Sequence, residues 1–262
     1  MNNSKFKIQN SKFPFFLLLF FLITACAKPP IPVSPTPTAE LLLQQLAQQG
    51  GAFDSLRGMA RVRVASPERS FTANQLLLAQ KPDRLRSETL SPFGNPVLTV
   101  AADGDRLSVL VPGEGRFLTG AASYRNLQRF TRLPLQLADL VQMVLYQVPM
   151  IPWQESRVDA GADGNWRLTL AAAQGEVRQE LTFDRRLRLT GADYLQADAL
   201  VLRLGYGPFD RQSGFPQAMS IETPAQQSEA TLTFSEIELN ASIPEERFRL
   251  SPPAGYTIEE LP

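Results

Sequence analysis

The 262-residue sequence contains no histidine and only one cysteine. Without histidine, the Ser-His-Asp and Cys-His sites of hydrolases are excluded, and so are zinc sites built on histidine. A single cysteine allows no disulfide within the chain. No glycine-rich phosphate loop opens a predicted helix, because Gly50-Gly51 leads into a strand pattern. These absences favour a binding protein over an enzyme.

Carboxylates are the remaining candidates for catalysis. The pairs Glu245-Glu246 and Glu259-Glu260 offer an acid and a base, as in glycosidases, but they lie among surface-type residues near the C-terminus. We therefore predict no catalytic residue, no metal site and no cofactor. Basic and acidic residues number 26 each, so the charge balance does not predict nucleic-acid binding.

The first 26 residues resemble the signal of a bacterial lipoprotein. Lys5, Lys7 and Lys12 precede an apolar run over residues 13–23, which is too short for a comfortable transmembrane helix and suits a signal peptide. Small residues then precede Cys26, in the pattern of a lipobox. The resemblance implies cleavage before Cys26 and a covalent N-terminal lipid on it. The alternative is an ordinary buried cysteine beside an uncleaved anchor.

Three segments follow from this pattern. We predict a signal peptide over residues 1–25, a lipidated cysteine with a tether over 26–37, and one domain over 38–262. Residues 27–37 contain five prolines, which prevent helix and sheet and keep the tether extended. Multiple acyl chains anchor a protein stably, so we expect the domain to stay at a membrane.

Alternation of apolar and polar residues predicts an antiparallel meander. In the first strand, Val62 and Val64 face one way while Arg61 and Arg63 face the other. The predicted strands are residues 58–64, 71–79, 84–90, 96–101, 106–111, 155–160, 166–172, 177–183, 187–190, 200–206, 217–222 and 230–239. In the last strand the apolar parity changes after Phe234, which predicts a β-bulge near Ser235 and a bent strand.

Helical spacing appears in two places. Residues 38–49 are good helix formers, with Thr38 as the N-cap and Gly50-Gly51 as the stop. Two amphipathic helices are predicted between residues 121 and 146, separated at Pro134. These helices either cover the core face of the sheet or form a lid over a cavity, and periodicity does not distinguish the two arrangements.

One aromatic residue stands in the connection between two predicted strands. Pro92 and Pro96 cannot donate ladder hydrogen bonds, and Gly94 tolerates a positive φ. Phe93 therefore has little local core to enter. It is either exposed at a loop tip or folded back under a neighbouring loop.

The order of these motifs resembles the LolB family of outer-membrane lipoprotein receptors, and more loosely the related LolA carriers. The similarity runs from about Leu56 to Pro149. Its motifs are a strand that leads into Ser91-Pro92-Phe93-Gly94, the turn Ala102-Asp103-Gly104, the segment LPLQLADL over residues 133–140, and Val148-Pro149 after an apolar helix.

The resemblance implies a mainly antiparallel α+β fold, an incomplete, half-open β-barrel with amphipathic helices plugging an apolar interior. It implies that Pro92, Phe93 and Gly94 form a membrane-insertion loop with Phe93 as the inserted residue. Nine further residues are candidates for an acyl-chain cavity or its lid. They are Leu127, Phe130, Leu137, Leu140, Val141, Val144, Leu145, Leu232 and Phe234.

The function implied is that of a lipoprotein receptor. Such a protein is anchored in the outer membrane by its own lipid and faces the periplasm, and Ala27 after the cysteine is similar to outer-membrane sorting signals. We expect a monomer whose partners are acylated lipoproteins and a LolA-like periplasmic carrier. The alternative is a structural or assembly lipoprotein that uses the same fold to dock a protein partner.

Overall fold

The computed structural model describes residues 36–262 except 69, 132–134, 162–163 and 174. The predicted signal peptide, Cys26, most of the tether and the helix break at Pro134 lie outside the described residues. Residues 36–262 form one compact unit with its own apolar core, so we expect this part to fold without residues 1–35. Among the described residues, no helix has the length and apolar character needed to span a bilayer.

The described residues contain three α-helices and fourteen β-strands. The helices are α1 (Ala39–Gly51), α2 (Tyr124–Thr131) and α3 (Leu137–Val144). The strands are β1 (Ser55–Ala65), β2 (Ser70–Gln80), β3 (Arg84–Leu90), β4 (Pro96–Asp103), β5 (Arg106–Val111), β6 (Arg116–Ala121), β7 (Glu155–Ala160), β8 (Trp166–Ala171), β9 (Val177–Phe183), β10 (Leu189–Gln196), β11 (Ala199–Tyr206), β12 (Ala218–Thr223), β13 (Ser228–Leu239) and β14 (Thr257–Glu260). Short 3-10 helices cover Pro112–Glu114, Pro224–Gln226 and Glu245–Phe248.

All fourteen strands belong to one open sheet. Their order is β14-β6-β5-β4-β3-β2-β1-β13-β12-β11-β10-β9-β8-β7, so the first strand pairs with the thirteenth at the centre. Every pair is antiparallel except β14 with β6, which is parallel. The expected α+β fold, an unclosed antiparallel sheet with helices against its apolar face, is confirmed.

The strand predictions succeed where alternation is clear and fail where it is not. β3, β5, β7 and β9 have the predicted bounds, whereas β6 and β14 were not predicted and β10 continues six residues beyond its predicted end at Thr190. β14 has an acidic and mostly exposed sequence, and Arg116 on β6 holds it through two hydrogen bonds to Glu259 of 2.6 and 2.7 Å. A strand that is held by a charge pair has no clear alternation of apolar and polar residues, so the sequence pattern does not predict it.

The helix predictions are mostly confirmed. The Thr38 Oγ1 accepts a hydrogen bond from the Leu41 N–H at 3.2 Å, as expected of an N-cap, and Leu42 and Leu46 are buried. The predicted stop is wrong, because α1 continues through Gly50 and Gly51 to a cap at Ala52. Neither glycine has a positive φ, so both fit the helical backbone.

The predicted β-bulge in the last strand is confirmed. Arg57 pairs with Glu238 and Met59 with Ser235, so β13 carries one extra residue opposite β1. Glu236 has a φ of +53° at this point. Gly58 faces the bulge, and a Cβ placed there would lie 2.8 Å from the Ile237 Cα and 2.9 Å from the Glu236 carbonyl oxygen. The bulge therefore depends on a glycine in the paired strand.

We predict that Gly58→Ala lowers the free energy of unfolding by about 2 kcal/mol, because backbone atoms of the bulge must move to accept the methyl group. The matched control is Gly51→Ala, where no atom lies within 4 Å of the added Cβ. There we expect no loss, or a gain of up to about 1 kcal/mol from helix propensity. Urea unfolding of both variants checks the difference, and equal stabilities would contradict this account of the bulge.

Candidate functional site

An apolar cavity of about 100 Å³ lies between the inner face of the sheet and helices α2 and α3. Strands β1 to β4, β12 and β13 supply its walls, each through residues of one parity. The lining residues are Val62, Val64, Phe71, Gln75, Leu77, Leu85, Ser87, Thr89, Leu98, Val100, Phe130, Thr131, Leu140, Val144, Ile221, Ala230 and Leu232. No charged side chain is among them, so the cavity suits an apolar ligand.

Three polar side chains in the wall hydrogen bond to one another. The Ser87 hydroxyl donates to the Gln75 Oε1 at 2.7 Å, and the Gln75 Nε2 donates to the Thr89 Oγ1 at 3.1 Å. These residues sit opposite one another on β2 and β3, where Gln75 pairs with Thr89. Because their polar atoms are largely satisfied within the wall, they do not require a polar ligand.

The structure places four of the nine candidate cavity residues on the cavity. Phe130, Leu140, Val144 and Leu232 line it. The other five, Leu127, Leu137, Val141, Leu145 and Phe234, are buried in the surrounding core and do not line it. The two helices therefore cover the core and also border a cavity, so both arrangements considered for them apply to different residues.

Sequence reasoning missed the walls contributed by β2, β3 and β4. The inner face of β3 carries Leu85, Ser87 and Thr89, so its alternation is largely polar and does not mark an apolar interior. The available signal was the register, because these residues share the inward parity of Leu77 across the β2–β3 pair. That signal becomes usable only when it is known which residues of β2 and β3 pair with each other.

The connection between β3 and β4 is a hydrogen-bonded turn. The Gly94 N–H donates to the Ser91 carbonyl at 2.9 Å, and the Ser91 N–H donates to the Asn95 carbonyl at 2.8 Å. Pro92 and Phe93 occupy the two central positions, and Gly94 has a φ of +84°. This is the three-residue hairpin pattern, a β-turn followed by a left-handed residue. The turn fixes the backbone that carries Phe93.

Phe93 is exposed. Its relative accessibility is 91%, the highest among the large hydrophobic residues in the described part of the chain. The space around the neighbouring Gly94 is also open, because no atom lies within 4 Å of a Cβ placed there. Of the two positions considered for this side chain, the structure shows the exposed one. A fully exposed phenyl ring does not stabilise the core, and it lowers solubility. Packing of the fold therefore does not explain why a phenylalanine occupies this position.

The Phe93 turn and the accessible side of the cavity lie at the same end of the sheet. Thr89 pairs with Leu98, both line the cavity, and the turn begins two residues after Thr89. Phe71, which is 43% exposed, also lines the cavity on the adjacent strand β2. The exposed Phe71 side of the cavity and the Phe93 turn therefore lie at the same end of strands β2 to β4.

Tyrosine hydroxyls tie the C-terminal end of α3 and the segment after it to the sheet. The Tyr206 hydroxyl donates to the Met143 carbonyl at 3.1 Å, and the Tyr146 hydroxyl donates to the Leu189 carbonyl at 3.0 Å. Tyr194 donates to the Pro149 carbonyl at 2.6 Å. Burial raises the pKa of all three phenols, so they remain protonated donors at physiological pH.

The N-terminal end of α2 is fixed in a similar way. The Asn126 Nδ2 donates to the Ala121 carbonyl at 3.0 Å and to the Pro262 carbonyl at 2.9 Å. Asn126 is 2% exposed. The two helices over the cavity are thus anchored at the start of α2 and at the end of α3, while Phe130, Thr131 and Leu140 between these anchors face the cavity.

Comparison with known proteins identifies the fold. No family model and no curated protein matches the sequence. Among solved structures, a LolA superfamily protein from Nitrosomonas europaea matches with a TM-score of 0.52 at 16% identity, over 79% of this chain and 97% of that one. A DUF1329 family protein from Desulfovibrio piger matches with a TM-score of 0.52 at 17% identity, over 79% and 94% of the two chains.

A third solved structure belongs to a domain from Vibrio parahaemolyticus that is described as an outer-membrane lipoprotein-sorting protein. It matches with a TM-score of 0.51 at 14% identity, over 79% of this chain and 94% of that one. Identities this low establish the fold alone. The chain described here therefore has a LolA/LolB-like fold, as the order of its sequence motifs implied.

Proposed function

We propose that this protein is a lipid-anchored receptor of the cell envelope that holds an acyl chain of another lipoprotein and helps to insert it into the outer membrane. The observation that carries the proposal is the position of the Phe93 turn beside the accessible side of an uncharged apolar cavity. The lipobox at Cys26 and the LolA/LolB-like fold support it. The proposed partners are acylated lipoproteins and a LolA-like periplasmic carrier.

An acyl chain needs more room than the cavity offers. A cavity of about 150 Å³ holds a molecule the size of benzene, and the cavity here is about 100 Å³. Binding therefore requires α2 and α3 to move away from the strands between their anchors at Asn126 and Tyr206. Each buried CH₂ contributes about 0.8 kcal/mol, and the cost of this opening lowers the net affinity, which favours release into a membrane.

The small volume also supports the alternative function. A core that is nearly filled by its own side chains suits a structural or assembly lipoprotein that docks a protein partner on its surface. In that case acylation of the partner is irrelevant. The two functions differ in whether the cavity ever accepts an acyl chain.

A direct test compares one lipoprotein in its acylated and unacylated forms. The bait is the unlipidated chain, residues 27–262, exported with a cleavable signal peptide. The receptor function predicts that the acylated form is recovered at least tenfold better. Equal recovery of both forms would exclude the receptor function and favour the docking function.

We predict that Ala230→Phe blocks acyl-chain binding, because the added ring points into the cavity from β13. Retention of a fluorescent fatty acid is expected to fall at least tenfold. Thr233→Phe is the matched control, since Thr233 lies on the same strand and is exposed on the outer face. Overpacking costs about 1–3 kcal/mol, so the melting temperature is measured with each variant, and the smaller Ala230→Leu serves if Ala230→Phe does not fold. Unchanged retention in folded Ala230→Phe would place the ligand elsewhere.

We predict that Phe93→Glu leaves folding and acyl binding intact but stops transfer to liposomes, because a carboxylate resists insertion into hydrocarbon. The free energy of unfolding should stay within about 0.5 kcal/mol of the original, as for other exposed sites. Leu41→Glu on α1 is the control, because Leu41 is also exposed but lies outside the turn. Normal transfer by Phe93→Glu would remove the proposed role of Phe93.

A further inference from the structure

A polar groove of about 380 Å³ lies beside the apolar cavity. Residues 66–68 after β1, the turn between β12 and β13 with the first residue of β13, and the exposed side of α2 form it. The residues that matter for its chemistry are Glu68, Arg125, Gln128, Arg129 and Ser228. We call this site the polar groove.

Two arginines give the polar groove its charge. Arg125 and Arg129 are both exposed, and neither forms an ion pair with a described residue. They lie four residues apart on one side of α2, where like charges weaken a helix. Arg129 lies in the last turn of α2, where a positive charge suits the helix dipole, but Arg125 lies in the first turn, where a positive charge is unfavourable to the helix. Guanidinium groups bind phosphate with two parallel hydrogen bonds, so this pair suits a phosphate group.

Ser228 supplies a second, independent observation. Its hydroxyl is the one buried side-chain polar atom without a hydrogen-bond partner among the described residues, and the residue is 5% exposed. The Thr223 hydroxyl donates to the Ser228 carbonyl and leaves the Ser228 Oγ unpaired. A buried hydroxyl without a partner is costly, and a ligand oxygen in the groove would accept a hydrogen bond from it.

The polar groove and the apolar cavity are lined by neighbouring residues at two places. Ser228 and Ala230 share the inward parity of β13, and Ala230 lines the cavity about 7 Å further along the strand. On α2, Arg129 lines the groove and the next residue, Phe130, lines the cavity. The Arg129 guanidinium carbon lies 5.7 Å from the centroid of the Phe130 ring. Charged and apolar surfaces thus meet at one boundary.

We propose that the polar groove binds the phosphate of a diacyl phospholipid whose acyl chain occupies the apolar cavity. Arg125 and Arg129 pair with the phosphate oxygens, and the Ser228 hydroxyl donates to the headgroup. The proposal rests on the proposed acyl-binding role of the cavity and extends the ligands beyond lipoproteins. The diacylglyceryl group of a lipoprotein carries no phosphate, so lipoprotein cargo alone does not account for the two arginines.

The charge of Glu68 in the polar groove affects which phospholipid headgroup is preferred. Its carboxylate repels a second anionic group but attracts an ammonium group. Phosphatidylethanolamine carries an ammonium group beside its phosphate, whereas phosphatidylglycerol does not. The phosphate is common to both lipids, and the experiment separates them.

The test offers three lipids in competition. The unlipidated chain, residues 27–262, is incubated with vesicles of equal amounts of dioleoyl phosphatidylglycerol, dioleoyl phosphatidylethanolamine and dioleoylglycerol, and the retained lipid is measured by mass spectrometry. We expect at least a tenfold preference for the phospholipids over dioleoylglycerol. Arg125→Gln with Arg129→Gln should abolish that preference without changing the melting temperature or the retention of dioleoylglycerol.

Arg61→Gln with Arg63→Gln is the matched control, because these arginines lie on the outer face of β1 and should not affect retention. Ser228→Ala should raise the melting temperature, since it removes an unpaired buried hydroxyl, and should lower phospholipid retention. A higher melting temperature with unchanged retention would remove Ser228 from the site. A Glu68→Gln variant that loses preference for phosphatidylethanolamine over phosphatidylglycerol would support the zwitterionic lipid.

The failures of the two proposals are distinguishable. Equal retention of all three lipids, or a preference that survives loss of both α2 arginines, would overturn phosphate binding and leave the acyl-binding cavity standing. Retention of no lipid at all, together with equal recovery of acylated and unacylated lipoprotein, would overturn the acyl-binding function itself.

Discussion

The structure depends on one constraint, which is that the apolar inner face of an open fourteen-stranded sheet must be covered. A closed barrel would cover its own interior, but here the strand order ends at β14 and β7 without joining. Three short helices therefore cover this face. Two of them are held in place by buried hydrogen bonds. Asn126 and Tyr206 fix α2 and α3 at their distant ends. Between those ends Phe130, Leu140 and Val144 face the strands, and the cavity lies there.

The same constraint explains why the site is made of parts that differ in chemistry. Strand alternation makes one face of β1 to β4 available to the cavity, and the turns at the strand ends form its surroundings. The β3–β4 turn carries an exposed phenyl ring on a fixed backbone, while the β12–β13 turn leads to the unpaired hydroxyl of Ser228. Sheet register therefore decides that apolar, aromatic and polar features meet at one end, although they are far apart in sequence.

Sequence reasoning predicted the elements that repeat a pattern and missed those that depend on partners. Alternation located most strands, and the parity change after Phe234 located the bulge, because both are visible within one segment. β14 was missed because Arg116, from a distant segment, holds it by charge. Five of the nine candidate cavity residues do not line the cavity, since helical periodicity separates buried from exposed positions but does not separate a packed core from a void. Ser228 drew no attention because only the folded structure shows that its hydroxyl lacks a partner.

The boundary between Arg129 and Phe130 connects the two proposals physically. A ligand with an acyl chain and a phosphate would satisfy both sides of this boundary, and it would also accept a hydrogen bond from the Ser228 hydroxyl, which has no partner among the described residues. Opening of the cavity has a cost, because Phe130 and Leu140 must leave their packing against the strands. A headgroup held by α2 compensates part of that cost, since its contacts form on the helix that has to move. A ligand without a charged headgroup lacks that compensation, so the cavity would hold it less tightly and release it more readily to a bilayer beside Phe93.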